Sequence, residues 1–235
     1  MLNLNKLKVP FITTNRYIDL HVYCGHSVFY NLGLLEMTYK TKMKHMKRPE
    51  DIKKTMASCY GLIEMQKNSV TLKSWQDWSI DVNKDGVQIN PLNYNLMSWN
   101  LHDRVQSNGW GDKNNIDILK VDSPFMLECD EDINWVLSCS PFSKQNLHLP
   151  SGLVNFKYLP SLNFFLYLHR DDPITLSFDA GDSIACITPM SGKKVKVHNH
   201  FDAEKWKYLF DKGAEIFSSD QHYKKKQLYK REEND

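Results

Sequence analysis

The chain has 235 residues and a formal net charge of +2, with 41% hydrophobic, 12% aromatic and 25% charged residues. Balanced charge removes the strongest reason to expect a nucleic-acid or anionic-membrane surface. No apolar run approaches the roughly 20 residues of a membrane helix, and the first residues lack a secretory apolar stretch, so we expect a soluble protein. The five cysteines include no CxxC pair, which argues against a disulfide framework and a structural zinc site.

The first 54 residues are poorly assigned, apart from a short helix predicted over 49–60. Residues 39–54 are rich in basic side chains, which makes them a candidate phosphate-binding surface. A solvated basic loop is the interpretation we favour, because charge runs are usually just hydrated. The candidate binding residues in this stretch are Lys42, Lys44, Lys47 and Arg48.

A first strand region follows, with strands predicted over 70–75, 78–82 and 87–89. Its turn contains Asp81-x-Asn83-x-Asp85-Gly86, which is the opening of a calcium-binding loop. The twelfth position of that loop needs a bidentate carboxylate, and Leu92 stands there. The Asp-Gly pair therefore predicts a β-hairpin turn.

A Ser, Asn, Gly and Asp loop over 106–115 separates this region from a second one, and it holds Trp110. An indole in such a loop is a candidate for stacking on a sugar or a base. Seven short strands are predicted in the second region, over 117–121, 125–129, 135–140, 153–158, 163–169, 174–178 and 183–188. A helix follows from Asp202, with an apolar stripe formed by Trp206, Leu209, Phe210 and Phe217.

This pattern predicts a mainly β fold: a β-sandwich or jelly-roll-like core with a C-terminal amphipathic helix. The predicted organisation is a poorly assigned segment over 1–54 and a β-rich core over 55–200. A helix and charged tail over 201–235 would dock on that core.

The segment between the last predicted strand and the helix contains His198-Asn-His200-Phe-Asp-Ala-Glu204. Two imidazoles that alternate on a strand, followed by a carboxylate, match the first metal motif of cupins, so these three residues are candidate ligands of a divalent metal ion. The alternative, which we favour, is a polar linker and helix start, because an acidic residue is favoured in the first turn of any helix.

Segments 56–73, 78–82, 122–125 and 132–142, then 150–160, 163–165 and 178–190, together resemble a family of tailed-bacteriophage proteins, notably those of marine cyanobacteria. The resemblance covers about 55–190. It implies a phage protein that acts in the host cytoplasm or is incorporated in a virion.

The motifs Pro150-Ser-Gly-Leu-Val-Asn155 and Phe178-Asp-Ala-Gly-Asp-Ser-Ile-Ala also resemble the end of a dUTPase-type β fold. Asn155 stands at the position of that family's essential acid. An amide cannot act as the general base that activates water, so the resemblance implies the fold and argues against the activity.

No catalytic residue is predicted, and the leading expectation is a non-enzymatic binding or structural protein, as a virion component or a host-interacting accessory protein. Its partner would be a protein or a second copy of the chain, or else a glycan at Trp110. The alternatives are a metal-dependent enzyme similar to cupins or 2-oxoglutarate oxygenases, and a degenerate nucleotide hydrolase. No cofactor is expected for the leading hypothesis, whereas the metal-dependent alternative requires a divalent metal ion.

Overall fold

The structure is a computed structural model, and it describes residues 17–27, 35–36, 68–93, 97–102, 116–141, 143–145 and 147–218. These residues form thirteen strands and one C-terminal helix, so the predicted mainly β fold is confirmed. The elements are β1 (Tyr17–Cys24), β2 (Leu35–Glu36), β3 (Val70–Lys73), β4 (Trp78–Asn83), β5 (Gly86–Pro91), β6 (Ser98–His102), β7 (Ile116–Glu128), β8 (Trp135–Cys139), β9 (Gly152–Val154), β10 (Ser161–His169), β11 (Ile174–Phe178), β12 (Ser183–Pro189), β13 (Lys194–Phe201) and α1 (Ala203–Ser218).

The strands form three sheets around one hydrophobic core. The main sheet has the order β10-β7-β1-β13, with β6 also paired to β7. A small sheet has the order β11-β4-β5, and the third has the order β2-β3-β12-β8-β9. Leu20 of the main sheet, Ile80 of the small sheet and Leu72 of the third belong to one buried cluster, so both predicted strand regions share a single core.

Strand β1 lies in the segment for which the sequence assigned no strand, yet it occupies an inner position of the main sheet. Its residues alternate: Ile18, Leu20 and Val22 are buried, whereas the residues between them point outward. It pairs antiparallel with β7 on one side and parallel with β13 on the other. Strand β1 of the N-terminal segment is thus part of the core.

Two strands predicted over 117–121 and 125–129 are one continuous strand, β7, which passes through Pro124. Proline lacks an N–H group and is tolerated in a sheet only where no ladder hydrogen bond is required. On one side of β7 its partner changes at this point from β6 to β1. On the other side the register with β10 shifts between Ser161 and Asn163. Pro124 therefore lies where the ladder is already interrupted.

The calcium-like motif forms a hairpin, as predicted, between β4 and β5. The side-chain oxygen of Asn83 accepts hydrogen bonds from the backbone N–H groups of Asp85 and Gly86, at 2.9 and 3.1 Å. Gly86 has a φ of 152°, which favours glycine. The carboxylate of Asp81 accepts hydrogen bonds from Thr175 and Asn90, so it holds neighbouring strands together.

The favoured interpretation of the residues before the helix as a polar linker is wrong, because 194–201 form β13. This segment forms a strand because its valines alternate: Val195 is buried and Val197 packs against the core.

Strand β6 was not predicted at all. The strand predicted over 153–158 is limited to β9, because the carbonyl of Asn155 accepts backbone hydrogen bonds from Tyr158 and Leu159 and begins a turn.

Helix α1 begins directly after β13 and packs against β1, β7 and β10. Asp202 caps it, because its carboxylate accepts a hydrogen bond from the backbone N–H of Lys205 at 2.8 Å. Leu209 is fully buried, and the indole of Trp206 donates a hydrogen bond to the carbonyl of Pro124 at 2.8 Å. Phe210 departs from the predicted docking stripe, since it is 48% exposed and lies against Trp206.

Across the part of the chain that the structure describes, no helix is both long enough and apolar enough to span a membrane.

Replacement of Gly25 by alanine is expected to loosen the docking of α1. The added Cβ would lie 2.8 Å from Cδ2 of the rigid indole of Trp206. We expect a loss of about 1–3 kcal/mol in the free energy of unfolding, measured by denaturant titration. Gly192→Ala is the matched control, because nothing lies within 4 Å of the position that its Cβ would take. Equal stability of the two variants would contradict this account of the helix contact.

Candidate functional site

The outward face of the β1–β13 pair carries a row of four rings and one carboxylate, which we call the histidine stripe. Its members are Asp19, His21 and Tyr23 of β1 together with His198 and His200 of β13. The parallel register places His21 opposite His198 and Tyr23 opposite His200. Their ring centroids are 4.9 and 4.8 Å apart, and the rings are within 20° of parallel. These distances match the spacing of neighbouring strands, about 4.8 Å, so the rings stand side by side across the pair.

Two diagonal hydrogen bonds connect the strands within the stripe. The Oδ1 atom of Asp19 lies 2.7 Å from Nε2 of His198, and Nδ1 of His21 lies 3.0 Å from Nε2 of His200. In each case a β1 side chain reaches the β13 residue two positions beyond its register partner. Both hydrogen bonds have the same two-residue offset, so the side chains lean along the strands in one direction. Each hydrogen bond restricts the rotamers of the two side chains that it joins.

The other end of the stripe is connected to β7 and to the helix. The hydroxyl of Tyr23 donates to Oε2 of Glu128 at 3.4 Å, and Nζ of Lys205 lies 2.9 Å from Oε1 of the same carboxylate. The Lys205 ammonium also lies 5.6 Å from the centroid of the Tyr23 ring. The position of Tyr23 is therefore fixed by residues from two further elements.

Protonation differs along the stripe. The hydrogen bond from His198 lowers the pKa of Asp19, so this carboxyl is ionised at neutral pH. An ionised carboxylate only accepts hydrogen bonds, which assigns the proton of this contact to Nε2 of His198. Burial, followed by the nearby charges of His21 and His198, lowers the pKa of His200. The His200 imidazole is therefore neutral near pH 7. Burial and the Glu128 carboxylate raise the pKa of Tyr23, which keeps its phenol protonated.

The structure brings together two of the three metal ligands predicted from the sequence. His198 and His200 both lie on the stripe, whereas Glu204 is exposed in the first turn of α1. Among the described residues no three His, Cys, Asp or Glu side chains converge as a metal site, so Glu204 does not complete a set with these histidines. Trp110, Lys42, Lys44, Lys47 and Arg48 lie outside the described residues.

Sequence reasoning missed Asp19, His21 and Tyr23. The signal that could have found them is the period-2 alternation of Tyr17-Ile-Asp-Leu-His-Val-Tyr-Cys24, which is typical of a half-buried strand. Its polar positions are the outward side chains of β1. The pairing of this strand with β13 is a tertiary contact that the local pattern does not contain.

Asn155, at the position of the dUTPase-type acid, is buried and holds a turn. Its amide donates to Oδ1 of Asp132 at 2.8 Å, and its side-chain oxygen accepts from the backbone N–H of Lys157 at 3.2 Å. Tyr158 donates to the other oxygen of Asp132 at 2.7 Å. These contacts give Asn155 a structural role.

No family model matches this chain, and neither the curated proteins nor the solved structures contain a match to it.

The Asp19–His198 contact predicts the titration of Asp19. We expect carbon-detected NMR to give a carboxyl pKa below the ordinary 3.8 in the native protein, and a return toward 3.8 in His198→Ala, which removes the hydrogen-bond donor. Because the folded-state pKa is lowered, this contact stabilises the fold above pH 3.8 and is lost as the pH falls through the folded pKa. An unchanged titration of Asp19 in His198→Ala would contradict the assignment.

Proposed function

We propose that the chain is a non-enzymatic binding or structural protein, and that the histidine stripe is its binding surface. The observation that carries the proposal is the parallel alignment of four rings on the outward face of one strand pair, fixed by two diagonal hydrogen bonds. Aromatic and imidazole rings offer large contact area together with hydrogen-bonding atoms. A surface of this kind suits recognition.

The geometry of the stripe favours binding over chemistry. The side chain of His198 is 29% exposed and that of Asp19 is 45% exposed, on the face of a sheet. Reaction centres gain much of their electrostatic strength by excluding water, which an open sheet face does not do. Recognition gains from the same arrangement, because side chains already held in one rotamer lose less entropy when a partner binds.

The resemblance to tailed-phage proteins supports a more specific role, in which the chain is a virion component or an accessory protein that contacts a host protein. Of these two roles we propose the virion component, whose partner is a neighbouring protein of the particle. The stripe would then be covered on assembly, and Tyr23 and His198 would be central contacts because aromatic side chains dominate the energies of interfaces.

Incorporation into purified phage particles tests this proposal. We expect the wild-type chain at constant copy number, measured by quantitative mass spectrometry. The double variant Tyr23→Ala, His198→Ala should be incorporated about tenfold less, which corresponds to about 1.4 kcal/mol and lies within the range of interface hot spots.

The matched control is His148→Ala, His169→Ala, which removes another pair of neighbouring exposed rings, one between β8 and β9 and the other at the end of β10. The control should be incorporated like the wild type. Circular dichroism shows whether each variant is folded. Absence of the wild-type chain from particles, or equal incorporation of a folded stripe variant, would refute the virion role.

A further inference from the structure

We propose that the histidine stripe binds one divalent ion of the late first-row transition metals, nickel, copper or zinc, between Nδ1 of His21 and Nε2 of His200. The inference deepens the proposed function, because it rests on the stripe as the binding surface and names a ligand chemistry for it. It replaces the set predicted from the sequence: His21 of β1 takes the place of Glu204, and His198 has a positioning role.

The distance between the two ring nitrogens suits two ligands of one metal ion. Nδ1 of His21 and Nε2 of His200 lie 3.0 Å apart. At metal–nitrogen bonds of about 2.0–2.1 Å, two ligands are about 2.9 Å apart at a right angle and about 3.4 Å apart at the tetrahedral angle. The observed separation falls between these values. Both rings would have to rotate away from the hydrogen-bonded direction to aim their lone pairs at one ion, and such rotation leaves the strands in place.

The two facing ring nitrogens also have the chemistry of metal ligands. Each imidazole has one nitrogen that carries a proton and one that can bind a metal, and imidazole suits nickel, copper and zinc. In the metal-free stripe one of the facing nitrogens donates its proton to the other. When the ion binds, the donor ring carries that proton on its other nitrogen instead. Both facing lone pairs then bind the ion.

The rings of His21 and His200 are already held in place by neighbouring side chains. The ring of His21 stands beside that of His198, which Asp19 holds by a hydrogen bond, and the ring of His200 stands beside that of Tyr23, which Glu128 holds. Mutation of residues that orient metal-binding imidazoles typically lowers metal affinity about 10–100-fold. The neighbours of both ligands are thus already in place.

Two protein nitrogens leave the other coordination positions of the ion open. Among the described residues no third His, Cys, Asp or Glu completes the group. The outward face of the stripe gives water access to these positions. The ion would accordingly be exchangeable, with an affinity set mainly by the two imidazoles.

Titration calorimetry of the untagged full chain with zinc chloride and with nickel chloride tests the inference. We expect one ion per chain, at a site that His21→Ala and His200→Ala each weaken at least tenfold, and that the double variant weakens little further than either one. The control His148→Ala, His169→Ala should bind as the wild type does. Paramagnetic resonance of the copper-loaded chain should show two nitrogen ligands.

Nitrogen-resolved NMR of the wild type keeps the inference testable if a variant fails to fold. On addition of zinc, the ring nitrogens of His21 and His200 should shift most. Larger shifts at other histidines, or affinity unchanged in folded His21→Ala, would overturn the inference.

The particle assay separates this inference from the proposed function. Both readouts are taken on the wild type, because Tyr23→Ala, His198→Ala removes the rings that orient the two metal ligands and should weaken zinc binding as well as incorporation. A wild-type chain that binds zinc at His21 and His200 but is absent from particles would refute the virion role alone. Absence of zinc binding in a wild-type chain that is still incorporated through the stripe would refute the metal site alone.

Discussion

The parallel pairing of β1 with β13 is the constraint on which the outer half of the main sheet depends. It joins Tyr17 to Lys194 and keeps one register as far as Cys24 and Phe201. This pairing closes a loop that contains all of the chain between β1 and β13. Closing such a loop costs conformational entropy, although the cost grows slowly with loop length. The alternation of side chains fixes the register: a slip of one residue would bury His198 and expose Val195, whose side chain now packs in the core.

The histidine stripe exists only because of this pairing. Each ring has its nearest ring neighbour on the other strand, and both diagonal hydrogen bonds cross between the strands. The helix continues the same arrangement, because Asp202 donates its backbone N–H to the carbonyl of Cys24 at the end of β1, at 3.3 Å. Lys205, one turn further on, reaches Glu128 of β7. The stripe, the helix start and the sheet are thus one connected unit.

Local patterns predicted the mainly β class, the hairpin at Gly86 and the helix after Asp202, because each depends on nearby residues: alternation, a glycine with positive φ, and a capping carboxylate. They failed between 121 and 125, where two strands were predicted but β7 continues through Pro124. The change of pairing partners at this point is a tertiary feature that only the sheet reveals. His198 and His200 of the stripe could be found from the sequence, because they are two residues apart in one motif. His21 was not, because its contact with His200 crosses most of the chain.

The composition of β13 explains why the stripe lies at one end of this strand. Within the described residues β13 pairs with β1 alone, and edge strands commonly carry lysine, which discourages pairing with other chains. Lys194 and Lys196 occupy the outward positions of its first half. The outward positions of the second half carry His198 and His200, and the lowered pKa of His200 removes fixed positive charge there. The strand thus combines a half with outward lysines, which opposes association with other chains, and a half with outward histidines, which carries the proposed binding stripe.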